Sequence, residues 1–493
     1  MKRSLIITGL ILATYILPAQ YAEDALRYSQ YYYQGTARNM AVGGAFGALG
    51  GDFSALATNP GSIAIYRSSE LIGSVGFTPR KVTSVYNGTM ADNNSFVMAL
   101  NNFGYINASR IGRGGKGWKY WQFAVGMNRL NNFNTNTFTQ GINTSSSRID
   151  AYLNDALDYL GNGGDLDNLT NYDPFFIGPA WQTYLLDTIG DENNIYLVSP
   201  VPPGGLMQQQ SVETHGSTNE WFASAGANFN DVLYIGATLG LPYIRYYRET
   251  FYRESDFADT IATFNSWSVT ENLHTRGMGV NFKLGVIVRP IDWIRIGAAF
   301  HTPTYYFGLR DTWSTYTVAD IYAISADEFG VYDYQSVTGD YKYKITTPMR
   351  FIGDLAFVIK DFGFISGEYE YVDYGTSKFK AKDYDFAYEN QDIKDYFRAT
   401  HNFRVGTEWR ISRMYIRGGY ALYASPYKNG LNDGSRQSYS GGLGYKGDGF
   451  ALDLAYVYSK SKEDYYLYSF EGMTPSVNEL KESSIVVTFR YQF

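Results

Sequence analysis

The sequence contains no cysteine, so neither disulfide bonds nor thiolate metal sites hold its fold. It has only 4 histidines, at positions 215, 274, 301 and 401, and no two of them stand at metal-ligand spacing. No Gly-rich run lies between a predicted strand and a helix, as a phosphate-binding loop requires. The formal net charge is −7 and no basic stripe is visible, which excludes a nucleic-acid partner. We therefore predict no metal, no cofactor and no enzymatic activity, with a hydrolytic protein as the least favoured alternative.

Long apolar runs are also scarce, and the clearest one stands at the N-terminus. Lys2 and Arg3 precede the apolar run 5–17, and Leu17-Pro18-Ala19 is a plausible cleavage site. We therefore assign residues 1–20 as a secretory signal peptide. The run is shorter than the roughly 20 apolar residues that a membrane-spanning helix needs, and no later segment offers them. The sequence thus predicts an exported protein without a transmembrane helix.

The chain is instead rich in aromatic residues and glycine, with 46 Tyr, 31 Phe and 51 Gly. A strand over 483–493 turns apolar side chains to one face and mostly polar ones to the other. The apolar face consists of Ile485, Val487, Phe489, Tyr491 and Phe493. A closing strand that is apolar outside and ends on an aromatic residue is typical of bacterial outer-membrane barrels. A secreted β-sandwich would also alternate, and it is the alternative fold.

Alternating segments continue from residue 70 to the C-terminus, and they are joined alternately by very short turns and by long polar stretches. We predict fourteen strands, near residues 70–82, 94–107, 118–132, 219–230, 232–247, 264–289, 292–308, 344–360, 362–376, 400–411, 414–424, 436–446, 449–460 and 483–493. Keeping 264–289 whole makes the number even and places all the short turns on one side. This asymmetry predicts an all-β, 14-stranded antiparallel transmembrane β-barrel over 70–493, with a long extracellular loop at 133–218.

Residues 21–69 differ from the barrel because they show no strand alternation. Gly and Ala let a backbone fold compactly in a confined space, and Asn-Pro-Gly is a turn signal. Low charge and scattered apolar residues favour an N-terminal hatch (plug) over a disordered leader. Its candidate residues are Gly35, Arg38, Asn39, Gly43, Gly44, Asp52, Asn59, Pro60 and Gly61.

The predicted lumen carries inward-facing basic side chains. Arg350, Arg404 and Arg417 are candidates for contact with a substrate carboxylate, because a guanidinium pairs with it through two hydrogen bonds. The other interpretation is favoured: that these side chains pair with inward acidic residues to satisfy a polar interior. Those acidic residues are Glu368, Glu370, Glu408 and Asp453.

Two apolar elements occur in the predicted loop 133–218. One is an amphipathic helix over 148–160, and the other is the stretch 175–186. A groove between them could take an acyl chain, or the two could simply pack together and cap the barrel. The candidate capture residues are Leu153, Leu157, Phe175, Phe176, Ile177, Trp181 and Leu185.

Four stretches resemble the FadL/TodX family of outer-membrane transporters. They are the N-terminal block 35–60, the pair 276–286 and 294–300, the pair 347–351 and 365–371, and the pair 403–409 and 415–420. Together they follow the family's order over most of the mature chain. Gly61 stands where the family usually has Ala, and the loop 133–218 has no residue-level match.

The resemblance implies a monomeric barrel in the bacterial outer membrane, closed by a hatch. It would pass hydrophobic small molecules such as long-chain fatty acids or aromatics inward by diffusion, with lateral exit into the membrane. Its other expected partners are outer-membrane lipid, lipopolysaccharide and, through the C-terminal strand, the barrel-assembly machinery. The alternative function is a polar-solute porin or a structural or adhesin barrel. Gly104 and Gly126 are candidate weak points in the wall.

Overall fold

The computed structural model describes residues 22–111, 116–191, 194–428 and 430–493. The predicted signal peptide, residues 1–20, lies outside the described residues. The chain forms a closed antiparallel barrel of 14 strands. The ring closes where the first strand pairs with the last, from Glu70 opposite Gln492 to Val85 opposite Val477. Closure leaves no open sheet edge at the first and last strands, as a hydrocarbon environment demands.

The barrel strands are numbered here in chain order, and some consist of two or three consecutive pieces. Their bounds are as follows: strand 1 Glu70–Tyr86, strand 2 Thr89–Arg110, strand 3 Trp118–Asn132 and Thr135–Asn143, strand 4 Leu206–Phe229, strand 5 Leu233–Ser255, strand 6 Phe264–Ile291, strand 7 Ile294–His301 and Tyr305–Ala323, strand 8 Glu328–Gln335, Gly339–Thr346 and Arg350–Ile359, strand 9 Gly363–Asp373, strand 10 Ala399–Ile411, strand 11 Met414–Tyr423, strand 12 Arg436–Lys446, strand 13 Phe450–Tyr465 and strand 14 Ser476–Gln492. Two short strands, Asp187–Asp191 and Asn194–Val198, pair with each other, and Lys378–Lys380 pairs with strand 8.

The helices lie outside the strand ladder. They are α1 Ala22–Ser29, α2 Ala37–Ala41, α3 Arg148–Gly161, α4 Leu169–Tyr172, α5 Ile177–Gln182 and α6 Ala387–Tyr396, with 3₁₀ turns at Ser54–Ala57, Pro60–Ile65, Leu166–Asn168 and Tyr374–Thr376. Among the described residues, no helix is long and apolar enough to span a membrane.

The predicted number of strands is confirmed, whereas several boundaries are wrong. The segment 133–218 is not all loop, because strand 3 continues over Thr135–Asn143 and strand 4 already begins at Leu206. Strands 7 and 8 also continue far beyond residues 308 and 344, over Tyr305–Ala323 and Glu328–Gln335. These extensions were missed because they lie on the long-loop side, beyond the apolar band. Strand 4 carries polar residues on both faces near Gln208, and strand 7 turns its apolar residues Ala319 and Ile321 to the inside, where they pack on the loop helices and not on lipid.

Short turns join the strands at one end of the barrel. Asn230 and Asp231, between strands 4 and 5, have φ values of 54° and 55°. Two successive residues in the left-handed region are typical of tight hairpin turns, for which Asn and Asp are favoured. The long connections are all at the opposite end, so the predicted asymmetry is confirmed, and the long end is extracellular in this class of barrel.

The barrel exterior is an apolar band, as the alternation predicted. On strand 8, Phe351, Leu355 and Phe357 are exposed, whereas Arg350 and Asp354 are buried inside. The same arrangement recurs on the closing strand, where Ile485, Val487 and Phe489 are exposed and Thr488 is buried. Apolar residues outside and polar ones inside reverse the pattern of a water-soluble protein and fit a lipid-facing wall.

The N-terminal segment 22–69 lies inside this ring. Its backbone is hydrogen-bonded to strands on different sides of the barrel: Ala37 N–H donates to Thr488 Oγ1 at 2.7 Å, while Gln122 Nε2 donates to Tyr66 O at 2.8 Å. On other sides, Ser366 Oγ donates to Ala45 O at 2.6 Å and Ser440 Oγ to Ala41 O at 3.0 Å. The segment therefore crosses the lumen and is attached to the wall on several sides.

Candidate functional site

The Asn59-Pro60-Gly61 turn of the N-terminal segment packs directly on the barrel wall. Asn59 Oδ1 accepts a hydrogen bond from Gly61 N–H at 2.9 Å, and Asn59 Nδ2 donates one to Asp354 at 3.1 Å. A Cβ added to Gly285 of strand 6 would lie 2.1 Å from Asn59 Oδ1. One on Gly236 of strand 5 would lie 2.1 Å from Pro60 O. Because Gly285 and Gly236 carry no side chain, the turn can pack directly against the backbone of strands 5 and 6.

The other predicted hatch residues also lie in the interior. Thr36 Oγ1 donates to Asp52 at 2.8 Å and accepts from Asn39 N–H at 3.1 Å. Gly35 packs on Ser54, Gly43 on the backbone of Tyr420, and Gly44 on Arg404. Arg38 donates two hydrogen bonds of 2.9 Å to Glu408 of strand 10. The structure thus brings the predicted residues together inside the barrel, whereas their role in closing it stays a prediction.

A chain of buried ion pairs connects the segment to the wall. Glu408 forms an ion pair with Arg38 and a second one with Arg417, whose Nε lies 2.6 Å from Glu408 Oε2. Arg417 also contacts Asp453 at 2.7 Å, and Asp453 in turn contacts Arg490 at 3.0 Å. Ion pairs in a low-dielectric interior hold geometry tightly, because separating one leaves an uncompensated charge.

A second buried cluster contains the remaining candidate arginines. Arg404 contacts both Glu368 and Glu370, and Arg350 contacts Glu370 and the carbonyl of Ser29 in α1. All three candidate arginines are thus paired with carboxylates of the wall, as the second of the two interpretations proposed. A substrate carboxylate would have to displace one of these partners, so their role in ligand contact stays a prediction.

The predicted capture loop lies over the long-loop end of the barrel. Helix α3 begins with a capping box, in which Ser147 Oγ accepts from Ile149 N–H and Asp150 accepts from Ser147 N–H at 2.7 Å. Among the candidate capture residues, Phe175, Ile177 and Leu185 are buried, Leu153, Phe176 and Trp181 are partly buried, and Leu157 is exposed. Most of the set therefore packs as a cap, while Leu157 is left on its outer surface.

A polar cluster beneath the cap was not predicted from the sequence. Glu254 of strand 5 accepts hydrogen bonds from Ser147 Oγ at 2.5 Å, Arg148 N–H at 2.9 Å and Trp267 Nε1 at 2.7 Å. Arg148 also contacts Glu271 at 2.6 Å. These residues are far apart in sequence, and Glu254 lies in an extension of strand 5 beyond its predicted end at 247, so no local signal marked the cluster. The cluster ties the start of α3 to strands 5 and 6.

A gap in the strand ladder lies between strands 2 and 3. Strand 2 pairs with strand 3 only from Arg110, opposite Tyr120, to Asn102, opposite Asn128. Above this point, residues 89–100 of strand 2 pair with strand 1, and residues 129, 131, 132 and 135–143 of strand 3 pair with strand 4. In the described residues, no ladder pair joins the two strands there. Part-way along the gap, Asn93 Nδ2 donates to Asn136 Oδ1 at 3.0 Å, and nearer its top Asn87 Nδ2 donates to Ile142 O at 3.0 Å.

Strand 3 is bonded to the N-terminal segment where it leaves strand 2. Tyr32 N–H donates to Leu130 O at 3.0 Å, and Gln34 N–H donates to Arg129 O at 3.2 Å. The ladder with strand 4 shifts register between Arg129 and Asn131, which marks a bulge. Leu130 is fully buried against Tyr31 and Ala57. The gap is therefore bordered by an apolar contact inside the barrel.

The sequence did not locate this gap. Gly104 and Gly126, the predicted weak points, are opposite each other in the paired part of strands 2 and 3, below the gap, with Phe53 packed on both. Among the described residues, no group of His, Asp and Glu is arranged to hold a metal ion.

The architecture and the interior together define a class of protein: an outer-membrane β-barrel that crosses the membrane with 14 strands and folds its N-terminal segment inside. Its fold is similar to that of a FadL homologue from Pseudomonas aeruginosa, with a TM-score of 0.56, 12% identity and coverage of 94% of this chain and 100% of the other. The toluene transporter TodX of Pseudomonas putida has a TM-score of 0.53 and 12% identity, with coverage of 94% of this chain and 100% of the other. The toluene transporter TbuX of Ralstonia pickettii has a TM-score of 0.50 and 14% identity, with coverage of 93% of this chain and 99% of the other. No family model and no curated protein sequence matches the chain.

Proposed function

We propose that the protein carries hydrophobic small molecules inward across the outer membrane, passively, with exit through the gap between strands 2 and 3. The observation that carries this proposal is the gap itself. It interrupts an otherwise hydrogen-bonded wall next to the N-terminal segment, and its inner border is the apolar contact of Leu130 with Tyr31. A polar solute would gain nothing from an opening that leads sideways into hydrocarbon.

The two mouths of the gap suit an apolar cargo. On the lipid side, Phe96 and Met98 of strand 2 are 66% and 65% exposed. On the lumen side, the route begins at Leu130, where the N-terminal segment replaces strand 2 as the partner of strand 3. An acyl chain or an aromatic ring would move from one apolar contact to the next. Each CH₂ group that stays buried away from water contributes about 0.8 kcal/mol of favourable free energy. The N-terminal segment acts as the hatch, because loosening its bonds to residues 129 and 130 widens the route.

The fold similarity supports the same class of cargo. Two of the similar structures are toluene transporters, and another is a FadL homologue. The exposed face of the loop cap, at Leu157, is the proposed point of first contact on the extracellular side. Comparing the uptake of oleate with that of toluene distinguishes a long acyl chain from a compact aromatic compound as the cargo.

A reversible clamp tests the exit route. Asn93→Cys with Asn136→Cys places two thiols where the side chains are now hydrogen-bonded across the gap, part-way along its length. The native chain has no cysteine, so the pair has no competing partner. Uptake of radiolabelled oleate and of toluene is then measured in cells, before and after oxidation. A control pair, Ser438→Cys with Ser459→Cys, cross-links strands 12 and 13, where the ladder is continuous.

We expect oxidation of the gap pair to abolish most of the uptake and dithiothreitol to restore it, with no effect in the control pair. Full uptake in the oxidised gap pair would eliminate the lateral route. Conductance of small ions in planar bilayers, together with no retained apolar ligand in mass spectrometry of the purified protein, would replace hydrophobic uptake with the polar-pore alternative.

A further inference from the structure

A row of basic side chains crosses the outer face of the barrel on its extracellular side. Arg245 of strand 5 is paired with Arg276 of strand 6, and Arg276 with Arg310 of strand 7. Arg310 is paired with Lys342 of strand 8, and two residues further along strand 8, Lys344 is paired with Lys380. The basic row, as we call it, consists of Arg245, Arg276, Arg310, Lys342, Lys344 and Lys380.

Few carboxylates compensate this row. Like charges directly opposite each other on neighbouring strands are destabilising. Arg310 forms a salt bridge with Asp340, and within the described part of the chain no salt bridge involves the other five members. Arg310 donates two hydrogen bonds to Asp340, so this single carboxylate is already engaged. The row therefore keeps a strong excess of positive charge on a chain whose net charge is −7.

The height of the row places it at the membrane surface. Directly below it on strand 5, the outward residues Leu239 and Leu241 are exposed and apolar. On strand 6, the outward residues Met278, Phe282 and Leu284 continue the same band. Above the row the outward residues of strand 6 are polar, namely His274, Asn272 and Thr270, whereas strand 5 still carries the exposed Phe251. Because the row lies between the apolar band and the long loops, it is level with the head groups of the outer leaflet.

A cleft of about 550 Å³ adjoins the row at Arg245. Tyr247 and His274 form one side of it, with their rings stacked at 4.0 Å. Arg245 Nε donates a hydrogen bond to Tyr247 Oη at 3.0 Å, which holds the guanidinium at the edge of the cleft. Two carboxylates, Glu213 and Glu249, also line this cleft, so we expect phosphate groups to bind along the row itself and not in the cleft.

We propose that the basic row binds the phosphorylated head group of lipopolysaccharide in the outer leaflet. The row spans strands 5 to 8, a width of roughly 14 Å at the usual strand spacing, which suits a lipid with two separate phosphates better than one with a single phosphate. Its acyl chains would lie on the apolar band directly below. The linear sequence shows no basic stripe because pairing of separate strands assembles it.

The test compares two triple variants with the same loss of charge. Arg245→Gln, Arg276→Gln and Lys342→Gln removes half of the basic row. The control, Lys81→Gln, Lys460→Gln and Lys481→Gln, removes three outward lysines that are also cross-strand neighbours, on strands 1, 13 and 14. Two of these have carboxylate partners, Asp92 at 2.7 Å and Glu479 at 3.2 Å. Binding of diphosphorylated lipid A and of its dephosphorylated form is titrated by native mass spectrometry in one detergent.

We expect the row variant to lose on the order of 100-fold in affinity for diphosphorylated lipid A, since each basic residue near an anionic surface contributes roughly a fivefold factor. The control should stay within about twofold of the wild type, and dephosphorylated lipid A should bind all three proteins equally. Asp340→Asn, which releases Arg310, should strengthen binding. Equal losses in both triple variants, or equally tight binding of phosphatidylglycerol, would overturn the proposal in favour of a general surface-charge effect.

Discussion

Asn59, in the N-terminal segment, donates a hydrogen bond of 3.1 Å to the carboxylate of Asp354 on strand 8. The carbonyl of the same amide accepts from Gly61 N–H, so a single side chain both shapes the turn and attaches it to the wall. Both residues are buried. Loss of a partner for a buried polar group costs about 1–3 kcal/mol, more when the group is charged. This contact is therefore a point at which the segment can be loosened without touching the strand ladder.

Asn59→Ala should free the segment while the barrel stays folded. We expect faster amide hydrogen exchange in residues 55–65, with unchanged exchange in peptides from strands 12 to 14. Arg67→Ala is the control, because Arg67 is exposed and pairs with Asp231 near the short turns. Unchanged exchange in Asn59→Ala would mean that the turn is held by other contacts.

The close approach at Gly285 leads to a second prediction. In Gly285→Val the added side chain would overlap Asn59, because a Cβ at this position would lie 2.1 Å from Asn59 Oδ1. The turn must move away from the wall, so we expect higher uptake of hydrophobic probes or higher ion conductance with little change in barrel stability. Gly353→Val on strand 8 is the matched control, since a Cβ there meets nothing within 4 Å. Equal behaviour of the two variants would contradict a tightly seated turn.

Arg404 should be more important for stability than any surface arginine. It is almost completely buried and contacts both Glu368 and Glu370. Arg404→Met leaves two carboxylates with one fewer cation, and breaking a buried pair in this way costs about 3–5 kcal/mol.

The loss is measured as the temperature at which the folded barrel band disappears on an unheated gel. Arg404→Met with Glu368→Gln should recover part of it, because one uncompensated charge is removed. Arg413→Met, at an exposed pair with Asp448, should shift this temperature little. If Arg404→Met left the unfolding temperature unchanged, the barrel interior would be hydrated enough to shield the carboxylates.

The period of two along the strands made much of the wall predictable. Phe351 and Leu355 alternate with Arg350 and Asp354 on strand 8, and lipid on one side and a polar lumen on the other enforce that pattern. The extensions near Gln208 could not be recognised, because beyond the apolar band water or polar groups lie on both sides. Strand 7 is broken between His301 and Tyr305, where Pro303 cannot donate to a ladder.

The candidate site was predictable only in part. The composition of residues 35–61 indicated a compact segment, and the inward Arg and Glu residues indicated a paired lumen. The gap could not be predicted, because it depends on residues 129–131 bonding to the N-terminal segment rather than to strand 2. That choice is made between distant parts of the chain and leaves no local signal. The basic row escaped notice for the same reason.

The loop cap allows a test of whether it captures ligand or only covers the barrel. Leu157 of α3 is 44% exposed, whereas Ile177 of α5 is 2% exposed within the packed cap. Leu157→Gln should lower hydrophobic uptake at low substrate concentration without changing stability, because it removes an apolar contact available only to ligand. Ile177→Ala should instead loosen the cap by about 2–5 kcal/mol, seen as faster protease cleavage within 148–186. Asp158→Asn, on the exposed side of α3, is the control for a surface substitution in this helix, and we expect it to leave uptake unchanged. Normal uptake in Leu157→Gln, with reduced uptake in Ile177→Ala, would leave α3 a structural cover only.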